Sequence, residues 1–186
     1  MEKVYVFLAD GFEEIEGLTV VDVLRRGKVE TVTVSVSGRQ LVMGSHKIPV
    51  MADCIFEEAD LKDGSMYVLP GGMPGTIHLG EHQGLTKLLA EAKTQGKKLA
   101  AICAAPSVLG QIGLLKGETA TCHPGFEEKL EGAVVTENTV EVSGQITTSR
   151  GMGTAVPFAL KLLEQIQGTE AVEQVCKGLV WKNTTV

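Results

Sequence analysis

The chain has 186 residues, 44% of them hydrophobic, and carries 17 Lys plus Arg against 23 Asp plus Glu, a formal charge of −6. A chain of this length buries roughly 70% of its unfolded surface as one domain without disulfides, so residues 1–186 are expected to form a single domain. The acidic balance, with no basic cluster beyond Arg25-Arg26 and Lys97-Lys98, argues against a nucleic-acid partner.

Val4–Leu8 reads as a buried strand, too short and too soon followed by Asp10 for a leader core or a membrane span, so no membrane partner is expected. Ile15, Leu18, Val21 and Leu24 then recur at helical spacing up to Gly27, and Val29–Val36 alternates as a strand, which makes a βαβ opening. Gln40–Val50 has the look of a hairpin with polar turns. Met66–Leu69 and Lys98–Ile102 are further buried strands, flanking a helix around Leu85–Lys93. Strand candidates follow at Thr119–Thr121, Val134–Thr136, Thr139–Val142 and Ile146–Thr148, and then helices near Met152–Gln167 and Glu170–Lys177. Short apolar strands alternating with helices imply an α/β fold with a mainly parallel sheet covered on both faces.

In such a sheet, chemistry collects in the loops at the carboxyl ends of the strands. The most distinctive stretch is Leu99-Ala100-Ala101-Ile102-Cys103-Ala104-Ala105-Pro106-Ser107, a strand that ends in a cysteine before a proline opens a helix. Unpaired amides and the helix dipole there favour a thiolate, so Cys103 is expected to titrate below the ordinary thiol value of about 8.5. A small buried hydrophobe is the competing reading, against which stand the flanking alanines that leave room for a substrate. Cys54, Cys103, Cys122 and Cys176 are widely spaced, include no CxxC pair and follow no secretory leader, which points to a reducing, cytoplasmic setting.

Ala9-Asp10-Gly11-Phe12-Glu13-Glu14-Ile15-Glu16 places several carboxylates at a helix start. Complementing the dipole accounts for Glu13 and Glu14. Glu16, between Ile15 and Gly17, sits at the inward edge of the first turn, facing either the crevice or water. Leu69-Pro70-Gly71-Gly72-Met73-Pro74-Gly75 follows another strand; its paired glycines suit either a tight turn or an amide aimed at an oxyanion. It lacks the phosphate-binding and dinucleotide signatures, so nucleotide binding is rejected. Cys122-His123-Pro124-Gly125 offers a histidine to orient or deprotonate a thiol; an adjacent Cys-His pair without a second cluster is poor evidence for zinc, and no metal is expected. His46, His78 and His82 are read as solvent-facing.

These segments, with Thr148-Ser149-Arg150-Gly151, occur in the order seen in the ThiJ/PfpI superfamily, and nearly the whole chain resembles its branch containing the Parkinson's-associated protein deglycase and its bacterial relatives. The resemblance implies a flavodoxin-like three-layer α/β/α sandwich of the class I glutamine amidotransferase-like kind, usually a homodimer. It assigns Cys103 as the nucleophilic, oxidation-sensitive cysteine, Glu16 as the carboxyl that donates a hydrogen bond to it, and His123 as the nearby histidine. The amides of Gly72 and Ala104 match the oxyanion-stabilising pair, while Gly71, Ser149 and Arg150 support the pocket, Arg150 as a structural or interface cation.

Two departures are visible: His46 stands where relatives often carry an arginine reaching toward the partner's pocket, and Met51 replaces a peripheral cysteine. Cys122 has no role in the motif and is read as structural. The implied activity is a cofactor-independent glyoxalase or deglycase acting on a small dicarbonyl such as methylglyoxal or on a glycated adduct. An oxidative-stress sensor or redox-regulated chaperone working through Cys103 is the alternative. Peptidase members place His directly after the nucleophile, where this chain has Ala104. Ile15 and Leu18, with Phe158 and Leu162, are expected to present the apolar faces of the homodimer.

Overall fold

The computed structural model describes residues 2–182. Its elements run β1 (Lys3–Leu8), α1 (Glu14–Arg26), β2 (Glu30–Ser35), β3 (Leu41–Met43), β4 (Pro49–Met51), β5 (Cys54–Ile55), β6 (Met66–Leu69), α2 (Gly75–Glu81), α3 (Gln83–Thr94), β7 (Lys98–Ile102), α4 (Pro106–Gln111), β8 (Thr119–Ala120), β9 (Val134–Val135), β10 (Val140–Ser143), β11 (Ile146–Ser149), α5 (Ala155–Gln167) and α6 (Thr169–Leu179). Seven strands form the central sheet in the order β10-β11-β7-β6-β1-β2-β5. All neighbours in it are parallel except β10, which closes the edge against β11 with Val140 opposite Ser149.

Alternation along β1 builds a core on each face. Val4, Val6 and Leu8 pack with residues of α1 and α5, whereas Tyr5 and Phe7 pack with those of α3 and α4. Glu14 in the first turn of α1 and Arg25 and Arg26 in its last complement the dipole, while Val20, Val21, Val23 and Leu24 are buried. From β1 the chain steps to β2 on one side, and β6 lies on the other. That reversal opens a crevice at the carboxyl ends, where Ala9–Glu13 and Pro70–Gly72 face one another; Glu13 N–H donates to the Gly71 carbonyl at 2.9 Å.

The expected flavodoxin-like α/β arrangement is what the chain adopts, and several details differ from the sequence reading. The segments near Thr119 and Val134 pair with each other as a two-stranded parallel unit outside the main sheet. Residues 152–154 start the Met152–Gln167 segment as a 3-10 turn, and α5 begins at Ala155. The helix α2 and the two-residue β5 escape a periodicity argument, because Gly71, Gly72, Pro74 and Gly75 punctuate the first and the second is too short to show a period. Phe158 and Leu162 are fully buried against the sheet and α1, so they belong to the monomer core and offer no face to a second copy. Apolar side chains that remain exposed include Ile15, Met43, Ile48, Met51 and Met152.

No helix among the described residues is long and apolar enough to cross a membrane.

Candidate active site

Cys103 follows β7 directly and adopts φ 65°, a conformation uncommon for a side chain with a Cβ. Its backbone is tied on both sides: its N–H donates to the Ser149 carbonyl at 3.0 Å, and its carbonyl accepts the His123 N–H at 2.8 Å. The sharp turn lifts the sulfur above the sheet end, as a strand-to-helix nucleophile turn does. The Ala104 and Gly72 amides face the sulfur and favour its charged form.

Glu16 is fully buried, which settles its orientation: it points inward. Its Oε2 accepts the Gly71 N–H at 2.9 Å. Its Oε1 is buried without a hydrogen-bond partner among the described residues, and a Cβ placed on Gly151 would lie 3.8 Å from it and 3.6 Å from His123 Cδ2. An unpartnered buried oxygen is tolerated by a neutral acid better than by a carboxylate. Burial accordingly raises the Glu16 carboxyl from 4.5 to about 7, the Glu13 charge adding to the rise while the Cys103 and Gly71 hydrogen bonds oppose it.

Burial also pushes the Cys103 thiol up to about 12, with the Glu16 charge adding to it against the Ala104 and Gly72 amides. This corrects the expectation of a lowered thiol: desolvation and a neighbouring carboxylate outweigh a six-residue helix. Two anions cannot share so small a site, so Glu16 and Cys103 together hold two protons below about pH 7 and keep one between them above it. Thiolate exists to the extent that this proton resides on Glu16.

His123 is exposed at the mouth. Its Nδ1 lies 2.9 Å from the Pro124 carbonyl, which makes Nδ1 the protonated nitrogen and leaves Nε2 as an acceptor. Ser149 is buried, and its hydroxyl donates to the Thr139 carbonyl at 2.7 Å. Arg150 is half-buried, and its charge acts on Glu127 and Cys122. Cys122 is 1% exposed within the second core, and burial pushes its thiol up to about 11, consistent with a structural role.

Thr154 escaped the sequence reading. Its hydroxyl accepts the Arg150 and Gly151 N–H groups at 3.2 and 3.0 Å and so shapes the Ser149–Gly151 wall; its place three residues beyond Gly151 is the signal that marks it. His46 and His82 are not simply solvent-facing. His82 Nδ1 accepts the Leu85 N–H and caps α3, while His46 Nδ1 lies 2.9 Å from Glu14 Oε2. Glu13, Glu14 and His46 bring ligand atoms within 4.8 Å of one another, a grouping already spent on mutual hydrogen bonds and on Ser45.

A doubly wound sheet with a cysteine on a strained turn at a strand end and a buried acid beside it defines a class of flavodoxin-like α/β proteins. The chain belongs to the DJ-1/PfpI family, whose profile matches residues 2–165. It is similar to Protein dj-1beta of Drosophila melanogaster, 36% identical over 94% of this chain and 95% of that one. It is also 38% identical to Protein DJ-1 homolog B of Arabidopsis thaliana over 97% of its length, spanning 42% of that longer protein. A glutathione-independent glyoxalase, DJR-1.2 of Caenorhabditis elegans, is 32% identical over 90% of this chain and 89% of its own. Among solved structures, oxidized Toxoplasma gondii DJ-1 superposes with a TM-score of 0.93 at 37% identity, covering 97% of this chain and 99% of that one.

Proposed function

We propose that the chain is a cytoplasmic, cysteine-dependent and cofactor-independent glyoxalase or deglycase acting on small dicarbonyls such as methylglyoxal or on their early glycation adducts. One observation carries this reading: Cys103 at φ 65° meets the Gly72 and Ala104 amides and the buried Glu16 acid in one place. The similarity to a glutathione-independent glyoxalase supports it.

In this scheme the Cys103 thiolate bonds to the aldehyde carbon, and the displaced carbonyl electron pair, held by the two amides, takes the Glu16 proton. Glu16, now a carboxylate, removes the hydrogen from that carbon as a proton and returns it to the neighbouring carbon through an enediol, with His123 Nε2 moving protons between the oxygens. The result is a thioester of a 2-hydroxy acid. Water cleaves it to lactate, or glycolate from glyoxal, and restores the thiol. One water is consumed, and no oxidant or reductant is needed.

The test is methylglyoxal consumption with lactate detection, without glutathione and after exhaustive chelation. Activity that appears only on adding a metal or glutathione overturns the scheme. The exposed Ile15, Met43, Ile48 and Met51 are read as the face of a homodimer, checked by a light-scattering mass of twice 19.8 kDa.

A second reading rests on the same pair. A partly exposed Cys103 beside an acid that retains its proton suits oxidation by two equivalents of peroxide, through the sulfenic acid, to a sulfinate held by that acid with release of two waters, and hence a redox sensor or a redox-regulated chaperone. Repeated turnover without loss of thiol separates the enzyme from the sensor.

A further inference from the structure

A groove of about 380 Å³ adjoins the Cys103 site, between α2, α4 and the 3-10 turn Glu127–Lys129. It shares its inner wall with the site at three points. Met73 follows Gly72, whose amide meets the sulfur. Ser107 Oγ donates to the Ala104 carbonyl at 2.6 Å. The Phe126 ring stands edge-on to His123 at 6.3 Å, and its N–H donates to the His123 carbonyl at 3.1 Å.

Met73, Ile77, Val108 and Phe126 give the groove apolar walls beside the polar Thr76, Ser107 and Gln111, and three carboxylates line it. Met73 and Ile77 are 46% and 47% exposed, high for side chains of that size. Glu81, Glu128 and Glu131 line it against Lys129, whose ammonium already lies 4.7 Å from the Phe126 ring centroid, so that ring face receives a cation.

We infer that this groove is a substrate subsite taking the distal part of the carbonyl compound presented to Cys103, and that it selects a part that is apolar in body and cationic at its end. Met73, Ile77 and Phe126 pack against the body, while Glu81, Glu128 and Glu131 attract the charge. The inference rests on the carbonyl chemistry proposed above and specifies which compounds that chemistry favours. Methylglyoxal has only a methyl group beyond its dicarbonyl and no charged end for the groove to hold, so its kinetics are blind to the rim charges. Rim charges are solvated, so the selectivity is modest and weakens with salt.

Three phenylglyoxals test it, carrying a para trimethylammoniomethyl, methyl or carboxylate group. The kcat/KM values should fall in that order, with cationic over anionic by about tenfold at low salt. A Glu128→Lys/Glu131→Lys variant should invert the order and leave methylglyoxal turnover unchanged. A Glu170→Lys/Glu173→Lys variant on α6, with the same change in net charge, should keep the wild-type order. Equal rates for the three compounds, or an inversion by the α6 variant as well, overturn the inference.

Absence of methylglyoxal turnover in the wild type would instead defeat the carbonyl chemistry, and the groove is then read by alkylation of Cys103. Iodoacetamides bearing a quaternary ammonium should label it faster than those bearing a carboxylate, again with inversion in Glu128→Lys/Glu131→Lys; no difference in labelling overturns the subsite.

Discussion

Glu16 and Cys103 are served by consecutive amides of one loop: Gly71 donates to Glu16 Oε2 at 2.9 Å, and the Gly72 amide favours charge on the Cys103 sulfur. The loop after β6 therefore fixes both members of the pair that shares a proton, and any change in its path alters acid and nucleophile together.

The buried acid should be visible in stability. Glu16 holds its proton to about 7 in the folded chain and to 4.5 when unfolded, so between those values the native state binds more protons and stability falls as pH rises. The loss amounts to about 3 kcal/mol and is complete above pH 7. Glu16→Gln should abolish this slope and be more stable than wild type at pH 8. Urea unfolding at pH 5 and pH 8 decides it; equal wild-type stability at both values would show that Glu16 titrates normally.

Cys122, which is 1% exposed, should be alkylated last of the four cysteines. In Glu16→Gln the amide still donates to sulfur and no longer opposes its charge, so iodoacetamide labelling at pH 8 should be at least as fast as in wild type while dicarbonyl turnover collapses. Glu16→Leu should lose both, and Cys103→Ser should lose turnover, because a hydroxyl there stays protonated. Peptide mass spectrometry across pH follows the labelling; full turnover by Cys103→Ser removes Cys103 from its role.

Gly71→Ala inserts a Cβ 2.6 Å from Cys103 Cβ and 2.7 Å from Glu16 Oε2, so both groups must move. Overpacking of this kind costs about 1–3 kcal/mol, while a misplacement near 1 Å costs about 100-fold in turnover. Gly72→Ala should be worse for folding. It requires φ 92° and places a Cβ against the Glu13 backbone nitrogen and 2.6 Å from the Gly11 carbonyl oxygen, neither of which can yield by a rotamer change. Thermal unfolding together with methylglyoxal kinetics separates the two effects; wild-type turnover in Gly71→Ala would contradict the packing.

The β3–β4 hairpin is pinned by Glu14, whose carboxylate accepts the His46 N–H at 2.8 Å and faces the His46 ring at 2.9 Å. Although burial opposes it, the His46 ring and nearby amides hold the Glu14 carboxyl at about 2, and Glu14 with Glu13 raises the His46 imidazole. The Glu14 contribution is present above pH 4.5 and is lost as pH falls toward 2. That of His46 is complete below 6.5 and is lost as pH rises through its higher folded value. Glu14→Ala should speed hydrogen exchange at the His46 amide without unfolding the sheet; unchanged exchange there would show that the pin is idle.

The strands β1, β6 and β7, the helix α1 and the β3–β4 hairpin are legible in the sequence because each has a local cause: a short apolar run, a repeat at helical spacing, or alternation between polar turns. Cys103, Gly72, Ala104 and His123 are legible as a family motif for a related reason, since the strand-end turn and the glycine pair are properties of neighbouring residues. The tertiary structure alone decides which way ambiguous side chains face. Phe158 and Leu162 turn to the core because α1 lies across them, and Glu16 turns inward because the Gly71 amide, 55 positions away, waits there. Titration belongs wholly to that level. The helix start beside Cys103 predicts a lowered thiol from local geometry, whereas burial and the charge of Glu16, supplied by a distant segment, raise it, because electrostatic energy depends on distance and solvent exposure rather than on position along the chain.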